Sequence, residues 1–215
     1  MTHWQHPSFF AYFPANSSPP SVLAEMLTST LGAQCMLWQT SPAATEMETR
    51  ITGWLQKMTG LPSGFHGVIQ DSASSATLCA LLTAREKATD WRTNKEGMNS
   101  LSSSLIVYTS EEAHSSTEKG AKIAGFGKDS VRLIRTGNNF EMCPEALRRN
   151  VVEDISNGYT PACVVASMGT TGVGATDPLK AIGQLCNDYE SFLHVDAAWA
   201  GSAFILPDER WLADG

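Results

Sequence analysis

The sequence lacks the features of a membrane-spanning or exported chain. None of its apolar runs approaches the roughly 20 residues that a membrane span needs. The first six residues, MTHWQH, have neither the basic region nor the apolar region of a signal peptide. With 15 Lys and Arg against 22 Asp and Glu, the chain also lacks the excess positive charge of nucleic-acid-binding proteins. These absences predict a cytoplasmic protein that has neither a membrane nor a nucleic acid among its partners.

Cysteine is sparse, and the spacing of the cysteines is not that of a cross-linked or zinc-binding protein. The five cysteines form an odd set without a CxxC pair, at positions 35, 79, 143, 163 and 186. This spacing argues against a disulfide framework and against a thiolate zinc site. No metal site is therefore predicted, and the five thiols are expected to be buried.

The glycine motifs of nucleotide-binding proteins are missing as well. No GxGxxG follows the first apolar run of the α/β region, no GxxxxGK[ST] occurs, and there is no GxSxG nucleophile elbow. A doubly wound nucleotide binder therefore remains an alternative that the α/β pattern allows but that no sequence motif supports.

The sequence does contain the composition and the pattern of a folded α/β protein. It is 42% hydrophobic and 17% charged, which suits a globular core. Residues 1–60 are predicted to form an aromatic and proline-rich segment followed by two helices, over about 20–32 and 42–58. Residues 61–215 repeat an apolar run, a turn of small polar residues and a helical stretch, the pattern of a mainly parallel sheet flanked by helices. Strands are predicted at residues 67–70, 105–108, 131–134, 162–167 and 192–195.

The residues that follow these strands are the candidate site residues, because ligands of open α/β sheets bind outside the carboxyl ends of the strands. Ser72, Ala73 and Ser74 join a strand to a helix start, where free N–H groups, hydroxyls and the helix dipole favour a phosphate. The alternative is that Ser72 or Ser74 serves only as an N-cap. Asp196 follows an apolar strand and needs a cationic partner or hydrogen-bond donors, unless it is an ordinary turn or cap residue.

Two more candidates follow predicted strands. His114 lies at the start of a helix, and Thr171 lies in the run Gly169-Thr170-Thr171-Gly172. The first could be an ordinary surface histidine, and the second could belong to a tight turn. Together with Ser74 and Asp196, they indicate a cofactor with a phosphate at one end and a cationic ring at the other.

Six short blocks of the sequence, in this order, match blocks of a known family. They are HPxxxAYFP, SPAxTE, SASxAT, AHSS, GTTG and HVDAA, which begin at residues 6, 41, 72, 113, 169 and 194. The set resembles the pyridoxal-phosphate-dependent group II amino-acid decarboxylases, in particular the aromatic-L-amino-acid decarboxylase branch. The resemblance covers nearly the whole chain and implies the large domain of the PLP-dependent transferase-like fold (fold type I), in incomplete form.

The resemblance implies a cofactor, pyridoxal 5′-phosphate (PLP), and a role for each candidate. Ala73 and Ser74 would hold the phosphate, and His114 and Ala198 would contact opposite faces of the pyridine ring. Asp196 would pair with the protonated ring nitrogen and so keep the ring an electron sink as carbon dioxide leaves. The catalytic residues implied in this way are His114, Asp196 and Thr171, of which Thr171 would also help to hold the cofactor.

The aromatic N-terminal segment resembles the family's substrate-pocket wall. Its implied wall residues are Trp4, Tyr12, Phe13 and Pro14, and such a surface suits a flat aromatic side chain. The implied activity of the parent protein is the decarboxylation of an aromatic L-amino acid to its amine, in a homodimer. Ser75 departs from the family, since many members carry an acidic residue at this position.

One element of the family is missing from the sequence. Its cofactor is attached to a lysine that follows the aspartate in an Asn-Pro-His-Lys-like block, whereas this sequence has no lysine after Lys180. The chain is therefore expected to be a fragment of the large domain that lacks the Schiff-base lysine and is inactive by itself. The alternative is a catalytically silent truncated product, or an interaction subunit, of the same fold.

Overall fold

The computed structural model describes residues 2–13 and 17–214. The contacts between Cα atoms group the chain into two compact units, Met1–Ile51 and Thr52–Gly215. The boundary between the units lies inside a helix, so the predicted domain division at residue 60 stays a prediction. None of the helices in the described ranges has both the length and the apolar composition that crossing a membrane takes.

The first unit contains helix α1 (Pro19–Leu31) and the start of helix α2 (Pro42–Thr59). Ser18 caps α1, because its hydroxyl accepts a hydrogen bond from the Ser21 N–H, and the Ser21 hydroxyl accepts one from the Ser18 N–H in return. Gly32 ends the helix in the left-handed conformation, at φ +57°. Both helices begin and end within two residues of the predicted positions.

The second unit alternates helices and strands, and four of the five predicted strands form in the described ranges. Its strands are β1 (Leu105–Ser110), β2 (Val131–Ile134), β3 (Thr160–Ser167) and β4 (Phe192–Asp196). Its helices are α3 (Ala73–Ala88), α4 (Arg92–Glu96), α5 (Ser116–Ile123), α6 (Pro144–Ser156) and α7 (Leu179–Asp188). Short 3₁₀ helices cover Met98–Ser100, Lys128–Ser130, Ala200–Ile205 and Pro207–Ala213.

The four strands form one parallel sheet in the order β2-β1-β3-β4. One face of the sheet packs against α6 and α7, where Ile106 of β1 contacts a cluster that includes Leu147 and Ile182. The other face packs against α3 and α5, where Val107 joins Leu81 and other buried residues. Because helices cover both faces, β1 is buried throughout and reads as a continuous apolar run. The predicted α/β fold with a mainly parallel sheet is confirmed.

The prediction of a strand at residues 67–70 is wrong. The segment has no regular secondary structure, and Val68 and Ile69 expose 67% and 58% of their surface. A strand requires a neighbouring strand to take up its backbone hydrogen bonds, and no strand of the described ranges pairs with this segment. The apolar composition suggested burial in a sheet, but it does not encode the partner strand that burial and pairing require.

The prediction that all five cysteines are buried is wrong for three of them. Cys163 and Cys186 are buried, Cys143 is half-buried, and Cys35 and Cys79 are exposed. Cys163 lies on the central strand β3 and Cys186 on the covered side of α7, which explains their burial. Cys79 lies on α3 but faces away from the sheet.

A buried polar network joins β1, β2 and α6. The Tyr108 hydroxyl donates to Oδ2 of Asp154 at 3.0 Å, and Nη2 of Arg132 donates to Oδ1 of the same carboxylate at 2.7 Å. Tyr108 and Asp154 are 0% and 4% exposed. Burial and the adjacent carboxylate raise the pKa of Tyr108, so its hydroxyl stays protonated and remains a donor. The network therefore pins α6 to the sheet with complementary charges.

Candidate active site

The carboxyl ends of three neighbouring strands bring the predicted site residues together. β1, β3 and β4 run parallel, and Ser167 at the end of β3 pairs in register with Asp196 at the end of β4. The loops that follow these strands surround one small pocket. The pocket is lined by His114, Ser167, Gly169, Thr170, Thr171, Asp196, Ala198 and Trp199. His114, Thr171, Asp196 and Ala198, four of the predicted site residues, therefore lie around the same pocket.

The start of α3 has the hydrogen-bond donors that an anion requires. The hydroxyl of Ser72 accepts from the Ser75 N–H at 3.3 Å, so the N-cap alternative is right for Ser72. The backbone N–H groups of Ala73 and Ser74, and the Ser74 hydroxyl, have no partner in the described part of the chain and are exposed. These donors lie at the positive end of a 16-residue helix. A phosphate group fits them.

The capping arrangement at the start of α3 also includes a carboxylate from the preceding loop. The Ser75 hydroxyl contacts the Asp71 carboxylate and lies 3.2 Å from the Ser72 N–H. Asp71 therefore places a negative charge near the first turn of α3.

Helix α3 and strand β4 meet through a pair of polar side chains. Oγ1 of Thr77 lies 3.3 Å from Nε2 of His194, and Thr77 is 1% exposed. His194 and Asp196 are two residues apart on β4, so their side chains are on the same face of the sheet, the face that α3 covers. The phosphate-binding end of α3 and the Asp196 carboxylate are thus on one side of the sheet.

Asp196 keeps part of its hydrogen-bonding capacity free. Its Oδ1 accepts from the Ala198 N–H at 3.2 Å, the local turn contact that the alternative interpretation expected. Its Oδ2 has no hydrogen-bond or ion-pair partner within residues 2–13 and 17–214. A half-buried carboxylate with one free oxygen at the rim of a pocket suits a protonated ring nitrogen.

The ring of His114 is held by the start of α5. Its Nδ1 accepts from the Ser116 N–H at 3.2 Å and lies 2.9 Å from the Ser116 hydroxyl. Because Nδ1 accepts a backbone hydrogen bond, the proton of the neutral imidazole is on Nε2. The side chain is exposed, so one ring face is available to a planar group.

The loop after β3 is shaped by a buried carboxylate and by a glycine. Both oxygens of Asp177 accept backbone N–H groups at 2.7 Å, one from Ser167 and one from Met142. Burial raises the pKa of Asp177, although the two N–H groups oppose the shift. At Gly169, φ is +76°, and a Cβ atom would lie 2.7 Å from the Trp199 ring. Only glycine therefore fits under Trp199 at this turn.

The same loop separates the two threonines of the predicted motif. Thr170 is buried, and its Oγ1 accepts the Ala175 N–H at 3.0 Å, as the tight-turn alternative expected. Thr171 is exposed at the pocket. The tight-turn interpretation thus applies to Thr170, and Thr171 keeps its predicted place beside the pocket.

Three residues that support the site were not among the predicted site residues. Asp177 has no local signal, because its partners are 10 and 35 residues away. His194 could have been found, since a residue two positions before a site residue on a strand shares its face. Thr77 could have been found in the same way, because it lies three residues after Ser74 on a helix.

The predicted substrate-wall residues belong to the first unit. The rings of Trp4 and Tyr12 stack at 5.6 Å between centroids with 16° between their planes. The exposed fractions of Trp4, Tyr12 and Phe13 are 41%, 83% and 45%. Pro14, the fourth predicted wall residue, lies outside the described residues. The three described residues form an exposed aromatic surface.

His194 predicts a pH dependence of folding stability. Burial lowers the pKa of His194 below its ordinary value of 6.5, although Asp196 opposes the shift. As the pH falls below 6.5, the unfolded chain binds a proton that the folded chain does not bind, so stability is lost. Relative to a His194→Gln variant, the free energy of unfolding should fall by at most about 1.4 kcal/mol per pH unit. Urea unfolding of both proteins between about pH 7.5 and 5 checks this; parallel pH dependences would contradict it.

Comparison with known proteins identifies the family. The model of the pyridoxal-dependent decarboxylase conserved domain matches residues 1–215, the whole chain. The chain belongs to this family. The predicted resemblance to PLP-dependent amino-acid decarboxylases is therefore confirmed.

Individual decarboxylase-family proteins match over the whole chain too. The aromatic-L-amino-acid decarboxylase of Cavia porcellus is 43% identical over 100% of this chain and 46% of its own length. The phenylacetaldehyde synthase of Arabidopsis thaliana is also 43% identical, over 100% of this chain and 44% of its own length. The crystal structure of Oryza sativa TDC with PLP and tryptamine has a TM-score of 0.92 and 36% identity, over 100% of this chain and 45% of that chain.

These matches confirm the cofactor and the enzyme class at the level of the family. Pyridoxal-dependent decarboxylases are carboxy-lyases, and a structural neighbour was solved with PLP. The same structural neighbours confirm the fold prediction, and the chain aligns with only part of each of them. The chain spans less than half the length of the relatives that it matches.

Proposed function

We propose that the whole protein decarboxylates an aromatic L-amino acid to its amine, with PLP bound between the start of α3 and the carboxyl ends of β3 and β4. One observation supports the proposal above all others. The free oxygen of Asp196 and the free N–H groups of Ala73 and Ser74 belong to elements that meet on one side of the sheet, through Thr77 and His194.

Each site residue has a task that its geometry allows. The N–H groups of Ala73 and Ser74 bind the phosphate, and His114 and Ala198 contact the two ring faces. Asp196 holds a proton on the ring nitrogen, because a half-buried carboxylate stabilises an adjacent cation. When bound, PLP supplies the sink for the electron pair left on Cα as carbon dioxide departs. Thr171 contacts the cofactor from the loop after β3.

The aromatic substrate is supported by the relatives and by the first unit. The C. porcellus relative is an aromatic-L-amino-acid decarboxylase, and the O. sativa structure contains tryptamine. The exposed rings of Trp4, Tyr12 and Phe13 offer the flat apolar surface that an aromatic side chain needs. The A. thaliana relative is a phenylacetaldehyde synthase, so an aldehyde is the second candidate product.

The chain covers 46% of the C. porcellus relative and 44% of the A. thaliana relative. No lysine follows Asp196, and the family attaches its cofactor through one. We therefore propose that this chain is a fragment of the large domain and that it binds PLP without a covalent link. The second candidate is a catalytically silent product of the same fold. Borohydride reduction of this chain in the presence of PLP tests the non-covalent binding, and a stoichiometric lysine adduct would contradict it.

A homodimer is the assembly that the exposed surface supports. The apolar side chains of α1 are all exposed, including Leu23 at 61% and Leu31 at 77%. Such side chains usually contact another protein surface. Light scattering of the full-length protein should give twice the mass of one chain.

The cytoplasmic location stays a prediction.

A substrate assay tests the proposed activity directly. The full-length protein with PLP should release carbon dioxide from tyrosine, tryptophan or dihydroxyphenylalanine, and the organic product should be the amine. Consumption of dioxygen with release of an aldehyde, ammonia and hydrogen peroxide in place of the amine would identify the second candidate product. Turnover restricted to glutamate would contradict the aromatic substrate, and bound PLP without any turnover would favour the silent product.

A further inference from the structure

The contact between Thr77 and His194 is a polar contact in an interface that apolar side chains largely form. Around it, α3 packs on the sheet through Leu81 and Ala84, which contact apolar residues of β1 and β3. Apolar contacts are not directional, so by themselves they set the position of the helix along its axis less sharply than a hydrogen bond does. A hydrogen bond at 3.3 Å between two side chains 117 residues apart fixes one position.

The two partners are each close in sequence to one end of the proposed cofactor site. Thr77 follows Ala73 by four residues and Ser74 by three, so it lies one helical turn below the phosphate-binding N–H groups. His194 precedes Asp196 by two residues on the same face of β4. A shift at this hydrogen bond would therefore change the separation between the N–H groups and the carboxylate.

The separation matters because a single rigid molecule must reach both ends. Two contacts made by one ligand reinforce each other only if the protein holds them at the matching distance, and the gain disappears when the distance is wrong. PLP has both a phosphate and a ring nitrogen, whereas pyridoxal has the ring nitrogen without the phosphate. The affinity for PLP therefore depends on the distance between the phosphate-binding N–H groups and Asp196, whereas the affinity for pyridoxal depends on the Asp196 end alone.

We propose that Thr77 and His194 are positioning residues, whose hydrogen bond sets the distance between the phosphate-binding start of α3 and Asp196. The proposal rests on the proposed function, because it assumes that PLP binds at these two ends. It assigns no contact with the cofactor to either residue. Their effect is on the affinity for a ligand that occupies both ends at once.

Affinity measurements with the two compounds test the proposal. In the full-length protein, Thr77→Val removes the hydroxyl with little change of shape and should weaken PLP binding on the order of 10-fold. Binding of pyridoxal should change by less than about twofold, because pyridoxal uses one end only. Thr77→Ser keeps the hydroxyl and should restore the PLP affinity. Equilibrium dialysis measures both dissociation constants.

The control is a second threonine on the same helix. Thr83 is exposed, and its hydroxyl donates to the Cys79 carbonyl at 2.9 Å within α3. Thr83→Val makes the same chemical change and should alter neither affinity. If Thr77→Val does not fold, His194→Phe removes the same hydrogen bond from the strand side and should show the same preference for pyridoxal over PLP.

The outcomes separate this proposal from the proposed function. Equal losses for PLP and pyridoxal in Thr77→Val, or no loss in either, would overturn the positioning role. Both results leave the proposed function standing if Asp196→Ala weakens binding of PLP. If the wild-type protein does not bind PLP, or if Asp196→Ala binds it unchanged, the proposed function itself fails.

Discussion

The Asp196→Asn variant of the full-length protein is expected to lose on the order of 100-fold or more in decarboxylation rate, as enzymes do when one preorganised electrostatic group is removed. The amide keeps the size of the side chain and can still accept the Ala198 N–H. It carries no negative charge, so it does not hold a proton on the ring nitrogen of PLP. The electron sink on which the reaction depends is then weakened.

Steady-state assays against a matched variant check this expectation. Asp188→Asn removes an exposed carboxylate that accepts a hydrogen bond from Gln184. Asp188 ends α7 shortly before β4 begins, whereas Asp196 lies at the other end of β4. This control should keep full activity. If Asp196→Asn also keeps wild-type activity and PLP affinity, Asp196 does not face the ring nitrogen.

The Asp154→Ala variant is expected to lose about 3 to 5 kcal/mol of folding stability, the usual loss when one partner of a buried ion pair is removed. Arg132 would be left partly buried without its carboxylate, whose hydrogen bond raises the pKa of that guanidinium. The buried Tyr108 hydroxyl would lose its acceptor as well. Both effects act on the central strand β1 and its neighbour β2.

Urea unfolding measures the loss, and the adjacent residue supplies the control. Glu153 precedes Asp154 on α6 and is exposed. Glu153→Ala should change the free energy of unfolding by less than about 0.5 kcal/mol, as surface substitutions usually do. Equal stability of the Asp154→Ala variant and the wild type would show that the network does not hold α6 on the sheet.

The elements that could be predicted from the sequence are those with a local signal. The strands β1 and β3 are covered on both faces, so each is a continuous apolar run that the sequence displays directly. Residues 67–70 carry the same signal and form no strand, because pairing depends on a partner elsewhere in the chain. The ends of α1 were predictable to within one residue because Pro20 and Gly32 mark them.

The candidate site follows the same division. His114, Thr171 and Asp196 were found because they come directly after strands, and the parallel topology places strand ends at one edge. Asp177 and Thr77 act through partners 35 and 117 residues away. No spacing in the sequence encodes these long-range contacts, although the place of Thr77 one helical turn after Ser74 could have marked it as a neighbour of the site.

A crystal structure of the full-length protein grown with PLP tests the central claim most directly. The account predicts the ring nitrogen about 2.8 Å from the Asp196 carboxylate, the usual length of a charge-assisted hydrogen bond. It also predicts the phosphate on the N–H groups of Ala73 and Ser74. A ring nitrogen that faces solvent, or a phosphate bound away from the start of α3, would contradict it.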